Sequence, residues 1–122
     1  MVCFDTNIVI YLANGALDES IVSDQPIVYP SILKIEALGY WDIRSGEEQK
    51  IRELLATFTE MPLSETIVNK AIQLRQYSKI SLGDAIVAAT ALVNNCILWT
   101  ANTKDYADIN GLQTFSPLLK AT

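Results

Sequence analysis

Asp84-Ala85-Ile86-Val87-Ala88-Ala89-Thr90-Ala91-Leu92-Val93 is apolar on nearly every face and rich in alanine. A helix that is apolar all round belongs in an interior, so the segment reads as a central, closely packed helix. Outward from it, short apolar runs bounded by turn residues read as five strands: Val2 to Phe4, Ile27 to Tyr29, about Phe58 to Met61, Cys96 to Thr100, and Leu112 to Phe115. Helical patterns fill the intervals. Ile51, Leu54, Leu55 and Phe58 keep an i, i+3, i+4, i+7 spacing with Glu47, Glu48, Arg52 and Glu53 opposite, and Ile67, Ala71 and Leu74, flanked by Val68 and Ile72, repeat that pattern. Strands that alternate with helices predict an α/β sandwich: a mostly parallel five-stranded sheet, right-handed crossovers and helices on both faces. In such sheets, ligands bind beyond the carboxyl ends of the strands, where the strand order reverses.

The chain has 122 residues, half of them apolar. That is enough to bury a core without metal or disulfide staples, and it reads as a single domain over residues 1–122. The polar segments Asn14 to Gln25 and Asn102 to Gly111 read as loops within it. No apolar run approaches the ~18 residues that a membrane span needs, and the start has neither a basic segment nor a long apolar one, so the expected location is the cytoplasm. Cys3 and Cys96 lack Cys-x-x-Cys spacing, and with no histidine in the chain they cannot complete a zinc site; both are expected as reduced core thiols inside strands. A net charge of −5, with the basic residues scattered, argues against gripping nucleic acid by surface charge. Divalent ions would offset that charge and concentrate positive potential at one centre.

Four acids stand where elements begin or end, or interrupt apolar helices: Asp5, Glu36, Asp84 and Asp105. Three have a plain local reading. Asp5 can cap a helix beginning near Thr6 or Asn7. Ser81-Leu82-Gly83-Asp84 fits a capping box, and Asn102-Thr103-Lys104-Asp105 fits the same template. Glu36 is different, because Ile32, Leu33, Ile35, Ala37 and Leu38 surround it and a charge there must snorkel, pair or bind something. Capping does not explain why four negative charges should crowd one sheet edge, where repulsion would raise their pKa values unless a cation compensates. With no imidazole available, a site made by all four is an oxygen-ligand site for a hard cation, Mg²⁺ or Mn²⁺.

Phe4-Asp5-Thr6-Asn7-Ile8-Val9-Ile10, Ser31-Ile32-Leu33-Lys34-Ile35-Glu36-Ala37-Leu38, Gly83-Asp84-Ala85-Ile86-Val87-Ala88-Ala89-Thr90-Ala91 and Thr100-Ala101-Asn102-Thr103-Lys104-Asp105-Tyr106 occur in this order. In these four motifs the chain resembles the PIN domain, and specifically the VapC-type toxins of bacterial toxin–antitoxin systems, over essentially its whole length. The resemblance implies a three-layer sandwich and a metal-dependent endoribonuclease with one or two Mg²⁺ or Mn²⁺ ions. Asp5, Glu36, Asp84 and Asp105 fall on the family's acidic positions, while Thr6, Asn7, Thr100 and Asn102 match its polar supports. Two departures stand out: Ala101 where many members carry Arg, removing a phosphate or partner contact, and Tyr106 where Phe is commoner.

On this reading Asp5 is the first choice for a ligand shared between ions, Asp84 and Asp105 complete the ligand set, and Glu36 binds metal or acts as base on the attacking water. The implied partners are an RNA substrate, a cognate antitoxin and a second copy of the chain in a homodimer. The alternative is a catalytically weak PIN-fold module that binds protein or RNA. A phosphotransferase with Asp5 as nucleophile ranks lower, because position 7 is Asn and not a second Asp. Tyr40 and Trp41, closing the helix that carries Glu36, read equally as a partner contact or as core packing.

Overall fold

A computed structural model describes residues 1–22 and 25–118. Five strands, β1 (Val2–Phe4), β2 (Ile27–Pro30), β3 (Thr59–Met61), β4 (Ile97–Trp99) and β5 (Thr114–Phe115), form one sheet in the order β3-β2-β1-β4-β5. All four pairings are parallel. The helices are α1 (Thr6–Ala13), α2 (Ser31–Leu38), α3 (Ser45–Thr57), α4 (Glu65–Tyr77) and α5 (Leu82–Val93), with short 3-10 turns at Glu19–Val22 and Thr103–Tyr106. The three-layer α/β sandwich expected from the alternation is therefore the fold observed.

Alternation along each strand builds two cores. Val2, Phe4, Ile27, Tyr29 and Trp99 face α1 and α3, together with Leu33 and Ala37 of α2. Cys3, Val28 and Leu98 face the opposite layer, where Ile67 and Ala71 of α4 and the alanines of α5 pack. Parallel strands covered on both faces read as continuous apolar runs, which is why these short strands stand out in the sequence. Ala85, Ala88, Ala89 and Ala91 have no exposed surface, so α5 is the interior helix its composition predicts.

From β1 the chain moves to β2 and β3 on one side, then crosses over through α4 and α5 to β4 on the other. The order thus reverses between β1 and β4, whose register pairs Phe4 with Trp99. Directly beyond that pair the Asp5 N–H donates to the Trp99 carbonyl at 2.9 Å, and the Thr100 N–H donates to the Phe115 carbonyl at 3.0 Å. Asp5 and Thr100 consequently stand side by side at the switch point, where this sheet class places its ligands.

Several local expectations are corrected. Helix α2 stops at Leu38, and Gly39 closes it by donating its N–H to the Ile35 carbonyl at 2.8 Å. A Cβ at Gly39 would lie 2.4 Å from that carbonyl oxygen, so the close approach requires glycine. Tyr40 and Trp41 lie beyond the helix, and Trp41 is 90% exposed, which removes core packing as its role. Cys3 lies in β1, whereas Cys96 precedes β4 by one residue; both are buried free thiols. The Asn102 side chain makes no cap hydrogen bond to the turn that follows it. Part of the Asn14 to Gln25 loop forms the 3-10 turn at Glu19–Val22, while Ser23 and Asp24 lie outside the described residues. Among the described residues, no helix is long and apolar enough to cross a membrane.

Candidate active site

Three elements bring acids to the switch point. Asp5 follows β1 and caps α1, its Oδ1 accepting the Thr6 N–H at 2.8 Å. Its Oδ2 accepts from the Thr100 hydroxyl at 2.8 Å and from the Tyr106 hydroxyl at 3.0 Å. Thr100 is in turn fixed by the Asn102 N–H, which donates to its Oγ1 at 3.0 Å. Asp5 is therefore an acid held at 8% exposure by three donors from three segments.

Asp84 enters from α5. Ser81 is the N-cap of that helix and accepts the Asp84 N–H on its hydroxyl at 3.2 Å, so the carboxylate projects from the first turn. Its Oδ1 lies 3.1 Å from the Tyr106 hydroxyl, which thereby stands between Asp84 and Asp5. A phenol has one proton and can donate to only one of the two at a time. Glu36, from α2, is joined through Thr6, whose hydroxyl donates to Glu36 Oε1 at 2.6 Å. Its other oxygen faces the start of α5, where a Cβ on Gly83 would sit 3.2 Å from Oε2; the glycine leaves the carboxylate room.

Asp105 is exposed, and its tie to the group is electrostatic, through its charge at Asp84. Of the other polar candidates, Thr6 and Thr100 bind acids directly, and Asn102 contributes its backbone N–H. Among the described residues the Asn7 side chain takes no part in the network.

Burial raises the Asp84 pKa above the usual carboxylate range, and the negative charges of Asp5 and Asp105 add to the rise, against hydrogen bonds from Tyr106 and Ser81 that lower it. Burial, then the charges of Asp5 and Asp84, push the Tyr106 phenol far up, so it keeps its proton. The ion pairs among the described residues engage other acids: Lys34 with Glu60, Lys50 with Glu19, and Arg52 with Glu48. Glu60 is the contrast. Hydrogen bonds from Lys34 and then Ser31 pull its pKa down, whereas Asp84 has no such cation among the described residues.

The donors present are carboxylate oxygens, which suit a hard cation. Among the described residues no three acidic or cysteine side chains gather into one coordination shell. A Mg²⁺-like ion does not require it, since such ions keep several waters and are commonly held by one or two carboxylates together with substrate phosphate. The chemistry of the donor set, its uncompensated charge and the position at the switch point fit that kind of ion.

Tyr106 is the residue whose part the sequence leaves hidden. It stands out there only as a departure from Phe, yet its hydroxyl links positions 101 and 22 residues away. The one local cue is an amphipathic aromatic directly after a candidate ligand.

Fold and site together define the class. The chain belongs to the PIN domain family, whose profile matches residues 2–112. It is 30% identical to Ribonuclease VapC10 of Mycobacterium tuberculosis, across 84% of this chain and 83% of that protein. Among solved structures it is similar to a toxin–antitoxin complex from Klebsiella pneumoniae, with TM-score 0.78 and 33% identity over 92% of this chain and 95% of the other. VapBC-1 from nontypeable Haemophilus influenzae matches with TM-score 0.72 and 28% identity, over 95% and 98% of the two chains. VapBC2 from Rickettsia felis, bound to a promoter DNA fragment, shares the fold at TM-score 0.82 and 21% identity, over 95% and 98%.

Proposed function

We propose that the chain is a Mg²⁺- or Mn²⁺-dependent endoribonuclease and the toxin of a toxin–antitoxin pair. The observation that carries this reading is the hydrogen-bonded set Asp5, Asp84 and Glu36, joined by Tyr106 and Thr6 at the switch point with no ion pair to balance it among the described residues. The likeness to a protein named as a ribonuclease supports the RNA substrate, and the likeness to solved toxin–antitoxin complexes supports the antitoxin.

Asp5 and Asp84 are the residues that would hold the ion, with Asp105 and Glu36 adding negative potential. When bound, a divalent cation acidifies water and neutralises charge on the phosphoryl transition state. The chain's own groups do the positioning. Thr6, Thr100 and Tyr106 fix the Asp5 carboxylate; Tyr106 engages that of Asp84, whose backbone N–H is held by Ser81. Glu36 Oε2, the oxygen not bonded to Thr6, is the proton acceptor for the attacking water. With no histidine, carboxylates must do this acid–base work.

The net charge of −5 makes the affinity for RNA depend on the cation more than on the surface, so binding is local and confined to unpaired nucleotides that can enter the edge. Ile35 at 70%, Trp41 at 90% and Leu82 at 58% exposure are apolar surface of the sort that an antitoxin segment or a second copy of the chain would cover. The proposed setting is the cytoplasm.

Titrating Mn²⁺ into the protein with labelled single-stranded RNA tests the activity. Cleavage should rise with metal and stop on chelation. RNA binding without cleavage at saturating Mn²⁺ would instead establish a catalytically weak binding module.

A further inference from the structure

We propose that Gly83 is a positioning residue for the cleavage step: by lacking a side chain it keeps Glu36 Oε2, the oxygen that takes the proton of the attacking water, in place and open. The inference rests on the nuclease reading above. Gly83 lies in the first turn of α5, where alanine would be the better helix former. Its backbone gives no reason for a glycine, because the positive φ values of glycines among the described residues are those of Gly15 and Gly111, at 84° and 83°. Nor is there a backbone neighbour of the kind that Gly39 has in the Ile35 carbonyl. Outside its own helix, the three atoms nearest to a Cβ on Gly83 would all belong to α2 side chains: Glu36 Oε2 at 3.2 Å, Glu36 Cδ at 3.8 Å and Ile32 Cδ1 at 3.9 Å.

The contacts with Cδ and Ile32 are ordinary packing, whereas 3.2 Å is tighter than a methyl normally sits against an oxygen, so Oε2 must give way or be covered. Glu36 Oε1 is held by the Thr6 hydroxyl at 2.6 Å, which anchors the carboxylate on the α1 side. Turning Oε2 away from a methyl therefore strains or breaks that bond. Leaving it in place sets a methyl against an oxygen with two lone-pair positions and shuts water out of that side. Either result opposes proton transfer, which needs the water within hydrogen-bond reach of its acceptor. The disturbance falls on Glu36, an exposed side chain, and not on the core, so the fold tolerates it. Asp5 and Asp84 are not among the atoms the methyl would meet. The glycine thus lowers the stability of α5 and keeps the acceptor open.

The test is a double-mutant cycle on the full chain: single-turnover cleavage of single-stranded RNA at saturating Mn²⁺ by the wild type, Gly83→Ala, Glu36→Ala and the double variant. Gly83→Ala should melt at or above the wild-type temperature and bind Mn²⁺ with unchanged affinity. It should cleave on the order of tenfold more slowly, as a small misplacement of a reacting group does. In the Glu36→Ala background the same substitution should change the rate no further. Carbon NMR of the side-chain carboxyls in the metal-free protein reads placement without activity: the Glu36 Cδ resonance should move in Gly83→Ala, and the Asp5 Cγ resonance should not. Cleavage at the wild-type rate by Gly83→Ala overturns the proposal, as does a Mn²⁺ affinity that falls with the rate. An equal loss in both backgrounds also overturns it, since the glycine would then act through Asp84 or the helix, and so does a Gly83→Ala chain that fails to fold. If Glu36→Ala leaves no measurable rate, the NMR decides: a moved Glu36 resonance supports the proposal and an unmoved one refutes it. Absence of Mn²⁺-dependent cleavage by the wild type would overturn the nuclease reading, and this inference with it.

Discussion

Asp84 bears a charge that the fold makes costly and leaves without a cation among the described residues. Its raised pKa means that the native state favours the neutral acid. The associated stability is fully present below the pKa of the unfolded chain and is lost as pH rises through the raised folded value. Asp84→Asn should therefore raise the melting temperature of the metal-free protein at neutral pH. That gain should shrink as pH falls through the raised pKa, since the wild-type acid is then neutral too. Calorimetry in chelator across that range checks it; a gain that persists unchanged at acid pH would mean that charge is not the cause. At this scale the sequence shows which residues carry charge, and Ser81 as a cap follows from its position alone. The partners that decide each role are remote: Thr6 reaches Glu36 across 30 residues, and Tyr106 reaches Asp5 across 101. No local pattern encodes those pairings.

Helix α5 connects the core to the site. Its alanines, with no exposed surface, let it lie close to the sheet and α4, and its first turn presents Asp84 at the sheet edge. Ser81 serves both ends of that arrangement, since it caps the helix and its hydroxyl also lowers the Asp84 pKa. Ser81→Ala should cost about 1 kcal/mol of stability, a fall of roughly 4 °C in melting temperature for a chain of this size. It should also raise the Asp84 pKa further, by removing a hydrogen bond that lowers it. Thermal denaturation and carboxylate titration by NMR read the two effects separately; an unshifted Asp84 would show that the serine acts as a cap alone. The existence and order of the elements were legible because buried parallel strands and an all-apolar helix leave unmistakable composition. The end of α2 was less so. Its apolar run continues into Tyr40 and Trp41, but Gly39 turns the chain outward, and the following Asp42 takes a positive φ of 67°.

For the molecule as a whole, the sheet order explains why residues far apart in the chain meet. Crossing from β3 through α4 and α5 to β4 sets the end of β4 beside that of β1, and α5 delivers Asp84 to the same edge. A helix cap and a metal ligand occupy the same place in this architecture, which is why local sequence left both readings open for Asp5 and Asp84. Asp5 does both things the two readings ask of it geometrically: it caps α1 and anchors the acidic network. Its carboxylate is therefore where the proposed nuclease activity is most exposed to test. Asp5→Asn keeps the side-chain volume and an acceptor oxygen for the cap while removing the charge. The decisive measurement is the initial rate of single-stranded RNA cleavage at saturating Mn²⁺ for the wild type and for Asp5→Asn, with circular dichroism showing the same fold in both. A metal-dependent nuclease built on this edge requires the variant's rate to fall by at least about a hundredfold; cleavage at the wild-type rate by a folded Asp5→Asn would contradict it.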